Sequence, residues 1–357
     1  MASISEVARL AGVSTATASR VVSEADYPVS AAARERVLKA VSELDYVPNA
    51  LARGLLKHQV PVVGVIVHDI TDPYFAEVVR GVEDAATAAG FLVITCSTER
   101  NADRERSYIR LLRSMRAAAV VFAGSGRDDP ELADDVGRHV AGMREVGAAV
   151  VHLSPSSDGE PEAGVDNVAG VAAMVGALVE LGHRRIALLA GPTGLIVARD
   201  RVEGFRRGLA EAGLAVDERL VVHTSFDREG GALGIDLLLA TTESFSAICC
   251  TNDLLALGAL ARLAELGIRV PEDVSVAGFD DISVAALTNP PLSTVRVPLR
   301  ELGRRGFAAV ERILGGAAPG HVTLPTEVIL RESTGTPRSD EVHLRPVIPR
   351  AAMGAAR

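Results

Sequence analysis

Ile4-Ser-Glu-Val-Ala-Arg-Leu-Ala-Gly-Val-Ser-Thr-Ala-Thr-Ala-Ser-Arg-Val-Val22 is the stretch on which the reading of this chain turns. Ser3 with Glu6 has the spacing of a capping box opening a helix from Ile4 to Leu10, and Ser14 can cap a second helix running through Val22. Gly12 permits the tight turn between them. Small Ala8 sits where two helices of such a unit must cross, and Ala18, Val21 and Val22 complete an inward face. Thr15, Thr17, Ser19 and Arg20 then remain outward, on the N-terminal half of a helix able to enter a major groove. A third helix is expected after the cap Ser30, with Val37, Val41 and Leu44 on one face and Pro48 ending it.

Beyond this head the pattern changes. From Val62 onward, apolar strand-like runs alternate with helical stretches, which is the mark of a parallel sheet with crossover helices. The expected strands are Val62 to Val67, Phe91 to Thr95, Ala118 to Ala123, Ala149 to Leu153, Arg185 to Leu189, Arg219 to His223, Ala247 to Cys250 and Val274 to Ala277. Helices close in the same way at Gly90, Gly182, Gly213 and Gly267, where a left-handed cap costs least. That recurrence points to two similar α/β lobes in series. The stretch 337–357 lacks apolar periodicity and reads as a frayed tail.

The chain has 357 residues, 48% hydrophobic and 23% charged, so it is long and apolar enough for more than one core. The longest apolar runs fall short of the roughly 18 residues a membrane helix needs, and no apolar leader follows the first Met, so a cytoplasmic chain with no membrane partner is expected. Three cysteines, two of them the neighbours Cys249 and Cys250, offer no disulfide framework or spaced metal ligands. The net charge is −9. Residues 1–58 hold seven Lys and Arg against six Asp and Glu, so the head is +1 and the remainder −10. An acidic body that repels DNA confines the contact to the head.

The quoted run resembles the head of the LacI/GalR regulators. The likeness continues through Val29-Ser30, Arg34 to Val37, and Leu44-Asp-Tyr-Val-Pro-Asn-Ala-Leu-Ala-Arg-Gly-Leu55, and it extends to about residue 336. It implies a small all-α helix-turn-helix head over 1–47, a hinge helix and linker over 48–60, and a periplasmic-binding-protein-like α/β sensor of two Rossmann-like lobes over 61–336. The N-lobe would hold about 61–160 with 292–320, and the C-lobe about 161–291 with 321–336. By the same resemblance Thr15, Ala16 and Arg20 read base edges, while Ser5, Ser14, Thr17, Ser19 and Asn49 lie near phosphates. Leu55, with Ala52 and Arg53 beside it, stands where the family's hinge helix wedges the minor groove. Two departures are an extra residue in 24–28 and Ala18 in place of a bulkier apolar residue.

Ligands of open α/β folds bind beyond the carboxyl ends of the strands. The residues found there are Asp69-Ile-Thr-Asp-Pro-Tyr-Phe75, Ser154, Gly191-Pro192 leading to Arg199, Phe226, Asn252-Asp253 and Gly278-Phe-Asp-Asp281. They combine rings, amides, carboxylates and a guanidinium, a mixture suited to a polyol with one apolar face. The resemblance assigns ligand contact to Phe75, Arg199, Phe226, Asn252 and Asp280, and Asp72, Tyr74, Ser154 and Asp253 join them as candidates. Asn252 can equally be a helix cap, and Phe75 or Phe226 ordinary core. Ser154 stands where many relatives carry an Asp, and Thr193 to Val197 is unusually apolar, which leaves a nucleoside or nucleobase open beside a sugar.

The sequence holds no nucleophile elbow, no phosphate loop ending in Gly-Lys and no paired His spacing, so neither an enzyme nor a cofactor is expected. The rival class is a solute-binding or sugar-processing α/β protein, which a signal peptide or a catalytic pair would favour. Head plus hinge favours a repressor of double-stranded operator DNA that is a homodimer, with a tetramer left open.

Overall fold

The structure is a computed structural model. It describes residues 2–22, 27–46, 59–127, 130–156, 161–241, 243–318 and 320–338, the side chains of 130–135 aside. The head is three helices, α1 (Ile4–Ala11), α2 (Thr15–Val22) and α3 (Ala31–Glu43). Ser3 and Glu6 form the capping box reciprocally, Gly12 takes the left-handed turn at φ 62°, and the Ser14 hydroxyl accepts from the Thr17 amide. Val7, Ala8, Ala11, Ala18, Val21, Val37 and Ala40 are buried together, with Val41 and Leu44 packed against them. Ala18 is wholly buried, so a larger side chain there would have to push the helices apart.

The sensor consists of two parallel four-stranded sheets. The first has the order β2-β1-β3-β4, from β1 (Val60–Val67), β2 (Leu92–Ser97), β3 (Ala117–Phe122) and β4 (Ala149–His152). Its crossover helices are α4 (Pro73–Ala88), α5 (Ala102–Ser114) and α6 (Pro130–Glu145). The short strand β5 (Ala163–Val165) leads into α7 (Asn167–Glu180). The second sheet follows, built from β6 (Ile186–Ala190), β7 (Val221–His223), β8 (Ala247–Cys250) and β9 (Ser275–Ala277), in the order β7-β6-β8-β9. Its helices are α8 (Ile196–Glu211), α9 (Arg228–Ala240) and α10 (Asp253–Glu265).

Three segments cross between the lobes: the one carrying β5, the one carrying β10 (Thr294–Arg296), and the one carrying β11 (Val322–Leu324) and β12 (Glu327–Ile329). β10 pairs antiparallel with β12, and β11 runs parallel to β5. Between them α11 (Leu299–Leu314) returns to pack on α4, while Ser333 hydrogen-bonds β9 in the second lobe through Val276. The eight core strands lie within a few residues of their sequence positions. Residues 218–220 form a 3-10 turn rather than strand, because the Asp217 carboxylate accepts from the Arg219 amide. The four crossing strands are three residues each, too short for an alternation of polarity to register.

Glycine sets the depth of the helix packing. A Cβ on Gly81 of α4 would overlap the Arg300 carbonyl oxygen, and one on Gly303 of α11 would overlap that of Val78. The two helices thus touch backbone to backbone. Gly176 of α7 has nothing within 4 Å. Gly303→Ala should therefore lower stability by about 1 to 3 kcal/mol through overpacking, whereas Gly176→Ala should raise it by up to about 1 kcal/mol through helix propensity. Urea denaturation of both variants checks the pair of signs.

Candidate functional site

On the head, Ser5, Thr15, Ala16 and Arg20 are exposed, with Thr17 and Ser19 half-buried, so the polar face of α2 is presented outward. The Arg20 guanidinium lies over the ring of Tyr27, 4.2 Å from its centroid. Tyr27 is 55% exposed and follows α2 by only a few residues, a contact no helical periodicity foreshadows. Asn49, Ala52, Arg53 and Leu55 lie outside the described residues.

A cleft opens at the carboxyl ends of the strands of both sheets. Its walls include Asp72, Tyr74, Phe75, Ser154, Phe226, Asn252 and Asp280, which the sequence singled out, and Val197 of the apolar stretch noted there, together with His68, Arg100, Ser125 and Arg201, which it did not. Counting its mouth, the cleft encloses about 450 Å³ of empty space.

Helix starts place several of these groups. Asp72 caps α4 by accepting from the Tyr74 amide at 2.9 Å, and Asn252 caps α10 by accepting from the Leu255 amide at 2.9 Å. Both the capping role and the place in the cleft wall therefore hold for Asn252. The start of α8 is closed from the opposite lobe: Ser125 Oγ accepts from the Val197 amide at 3.1 Å, and the Gly126 carbonyl accepts from the Ile196 amide at 3.2 Å. This clasp joins the lobes across the mouth.

Arg199 does not line the cleft. Its side chain is 59% exposed, turned toward Asp200 at 3.3 Å and toward a separate surface hollow with Pro192 and Arg206. Two positions along a helix turn a side chain through about 200°, so Arg201 points the other way. It is buried, and it belongs to the face of Ala198, Val202 and Phe205, a periodicity from which it could have been found. Its Nε donates to Asn167 Oδ1 at 2.9 Å, its Nη1 to the Thr251 carbonyl, and its Nη2 to Asp280 Oδ1 at 3.1 Å, with the guanidinium carbon 3.9 Å from the Phe279 ring centroid. Asp253 is also absent from the wall. It is fully buried behind it, accepting from Thr294 Oγ1 at 2.6 Å and from the Ile282 amide at 2.9 Å, and it positions the loop that carries Asp280.

Burial outweighs the Arg201 charge and lifts the Asp280 carboxyl to about 7, so acid and carboxylate coexist near neutrality. Desolvation raises Asp253 well above the usual carboxylate range, with the Asp280 charge adding to the effect. Burial and then the Arg100 charge push His68 down to about 4, which keeps it neutral while its Nε2 meets the Ser125 carbonyl at 3.2 Å. The rings of Tyr74 and His68 meet Phe75 edge-on, at 5.0 and 5.7 Å between centroids. Gly191 lets the Phe226 ring approach the backbone closely, since a Cβ there would overlap the ring. The arrangement can bind a small ring: aromatic surface enters from both lobes, and an ion pair and an amide offer directed hydrogen bonds. Among the described residues no group of three His, Cys, Asp or Glu could hold a metal ion. No helix there is long and apolar enough to cross a membrane.

Comparison with known proteins bears on both parts. Residues 3–49 match the family described as bacterial regulatory proteins, lacI family, and residues 175–334 match a periplasmic binding protein-like domain. The HTH-type transcriptional repressor PurR of Vibrio atlanticus is 35% identical over 314 residues, 88% of this chain and 92% of that protein. A lac repressor dimer bound to operator and the anti-inducer ONPF superposes with a TM-score of 0.83 at 27% identity, covering 94% of this chain and 99% of the other. The regulator CelR in complex with cellobiose gives a TM-score of 0.69 at 31% identity over 93% of this chain and all of that one. With its helix-turn-helix head, its two-lobed sensor and relatives matched over nearly their full length, the chain belongs to the lacI family of bacterial regulatory proteins and is a DNA-binding transcriptional repressor with a ligand-binding domain.

Proposed function

We propose that the repressor works in the cytoplasm as a homodimer whose two heads grip a roughly palindromic operator, and that a sugar or sugar derivative in the cleft sets its affinity for that operator. Two-fold protein symmetry calls for two-fold DNA. Thr15, Ala16 and Arg20 are the base-reading candidates, and Ser5, Ser14, Thr17, Ser19 and Asn49 the phosphate contacts. Leu55, flanked by Ala52 and Arg53, is the candidate minor-groove wedge. The observation that carries the effector reading is the Arg201–Asp280 pair set between Phe75, Phe226 and Asn252. Hydroxyls of a sugar ring suit charged planar groups, and its apolar face suits an aromatic ring. The relative CelR holds cellobiose, and a lacI-family regulator of Enterococcus faecium holds ribose. A flat nucleobase or nucleoside is the second reading, favoured by the aromatic rings of Tyr74, Phe75 and Phe226 that line the cleft from both lobes.

The effector acts by binding one arrangement of the lobes more tightly than another, so its effect on operator affinity is bounded by that difference. The clasp of Ser125 and Gly126 on α8 is the contact that any opening must break. A thermal-shift panel of sugars, nucleosides and nucleobases tests the class directly: stabilisation by nucleobases alone would replace the sugar reading with the second one.

On the DNA side, retardation of an operator fragment should weaken steeply with added salt, because neutralised phosphates release counterions. Arg20→Ala should cost about 1 to 3 kcal/mol and relax selectivity at one base position, whereas a uniform loss across sequences would make Arg20 a phosphate contact.

On the effector side, the charged groups facing Asp280 are Arg201, Asp72 and Asp253, with the phenol of Tyr74 near it. If the carboxylate is the form that accepts effector hydroxyls, affinity should rise as pH passes from 6 to 8 through the Asp280 value of about 7. Asp280→Asn should flatten that profile in calorimetric titrations. The stability effect has the opposite sign. Between about 4 and 7 the folded state holds a proton that the unfolded chain has lost, so Asp280 destabilises the fold increasingly as pH rises through that window.

A further inference from the structure

Arg100 is the cleft's other guanidinium, and its situation differs from that of Arg201. Arg201 has three protein acceptors. The Arg100 side chain makes no hydrogen bond or ion pair with the described residues; it faces the Phe226 ring of the opposite lobe, whose centroid is 5.6 Å from the guanidinium carbon. Burial lowers its pKa, and the charge of Asp72 only partly opposes this. The nearby acids have taken other partners. Asp72 caps α4, Asp227 accepts from Ser225 Oγ and the Gly230 amide, and Asp69 accepts from the amide and hydroxyl of Thr71. A second cation stands beside it, for Arg127 donates to the Arg100 carbonyl and its positive charge disfavours that of Arg100. A guanidinium in a partly desolvated wall, with no carboxylate bonded to it and the exposed Arg127 charge nearby, is electrostatically incomplete.

The backbone supports the same conclusion. Glu99 and Arg100 both adopt left-handed conformations, φ 51° and 57°, which non-glycine residues seldom take. Residues with side chains that are held in such conformations cluster where the side chain must be aimed. Here the strained turn sends Arg100 across the mouth to Phe226, while the neighbouring Glu99 carboxylate goes outward to Arg104.

We propose that the effector is anionic: a polyhydroxylated ring carrying a phosphate or carboxylate group, which Arg100 binds at the cleft mouth beside Phe226 while Arg201 and Asp280 take the ring. A guanidinium offers a planar fork that matches two oxygens of either group. Arg127 adds charge without needing direct contact. This rests on the sugar reading above and narrows it.

The experiment is isothermal titration of the full chain with matched probes: glucose, glucose 6-phosphate and glucuronate, then ribose and ribose 5-phosphate. The expected result is that in at least one series an anionic member binds tenfold or more tightly than its neutral parent. Arg100→Gln should abolish that preference while changing the neutral sugar's affinity less than twofold. Arg100→Gly, which suits the left-handed backbone, should fold at least as well and show the same loss. Comparing phosphate with carboxylate probes identifies which group is read. Equal affinity for neutral and anionic members, or a preference that survives both substitutions, overturns the anionic assignment but leaves the sugar reading standing. Absence of binding by every sugar alongside binding of a nucleobase overturns both.

Discussion

The buried guanidinium of Arg201 is the interaction on which the sensor's second lobe depends. It joins α7 through Asn167, the end of β8 through Thr251 and the loop after β9 through Asp280, and the Phe279 ring covers its face. Taking both charges out of water costs several kcal/mol per ion, which their attraction offsets only when the remaining donors are satisfied. Three acceptors of three different kinds engage all three of its nitrogens, and its two remaining N–H groups belong to a side chain that lines the cleft. A pair of this sort adds little net stability, but it fixes the relative places of three strand ends, and those strand ends are the wall of the cleft. Removing one partner alone strands the other charge in a dry site, the more damaging change.

The same economy runs through the rest of the cleft. Asp72 and Asn252 each satisfy an amide at the start of a helix, so two helix ends that converge on the cleft are closed by groups that also face it. α8 is the exception. No side chain of its own caps it, and its first amides are satisfied by Ser125 and Gly126 of the other lobe. Moving the lobes apart therefore leaves backbone donors to be satisfied by water or by a ligand. That gives the closed and open arrangements different hydrogen-bond partners at the place where the effector enters, the kind of differential contact that a conformational switch requires.

Much of this was legible in the sequence, for identifiable reasons. Caps are local, so Ser3 with Glu6, Ser14 and Ser30 announced the head's helices, and the strand ends of a parallel sheet announced Asp72, Phe75, Ser154, Phe226, Asn252 and Asp280 as neighbours. The sequence pointed to Arg199 and not to Arg201, which lines the cleft, because an exposed and a buried arginine two positions apart look alike until the helical phase is weighed, and Arg201 shares the phase of Ala198 and Phe205. Asp253 differs in another way: it is adjacent to the cleft in sequence, but its carboxylate turns inward to Thr294, a residue 41 positions away. His68, Ser125 and Arg100 gave no periodic or motif signal. They reach the cleft through loop conformations that only the packed lobes determine.

Those loop conformations are concentrated. Among the described residues six that are not glycine have positive φ, and four of them form two adjacent pairs, Glu99–Arg100 and Asp280–Asp281. Each such residue costs on the order of 1–3 kcal/mol, so two pairs together represent a burden comparable with a domain's net stability. In both pairs the strain separates two neighbouring charged side chains. Arg100 goes into the cleft while Glu99 bonds Arg104; Asp280 goes to Arg201 while Asp281 bonds Arg296 on β10 and Arg331 beyond β12. The second pair has a further consequence, because β10 and β12 lie in segments that cross between the lobes. Any shift of Asp280 on meeting a ligand is one residue from an ion network holding those crossing strands, so the cleft and the interlobe connection share a single strained turn.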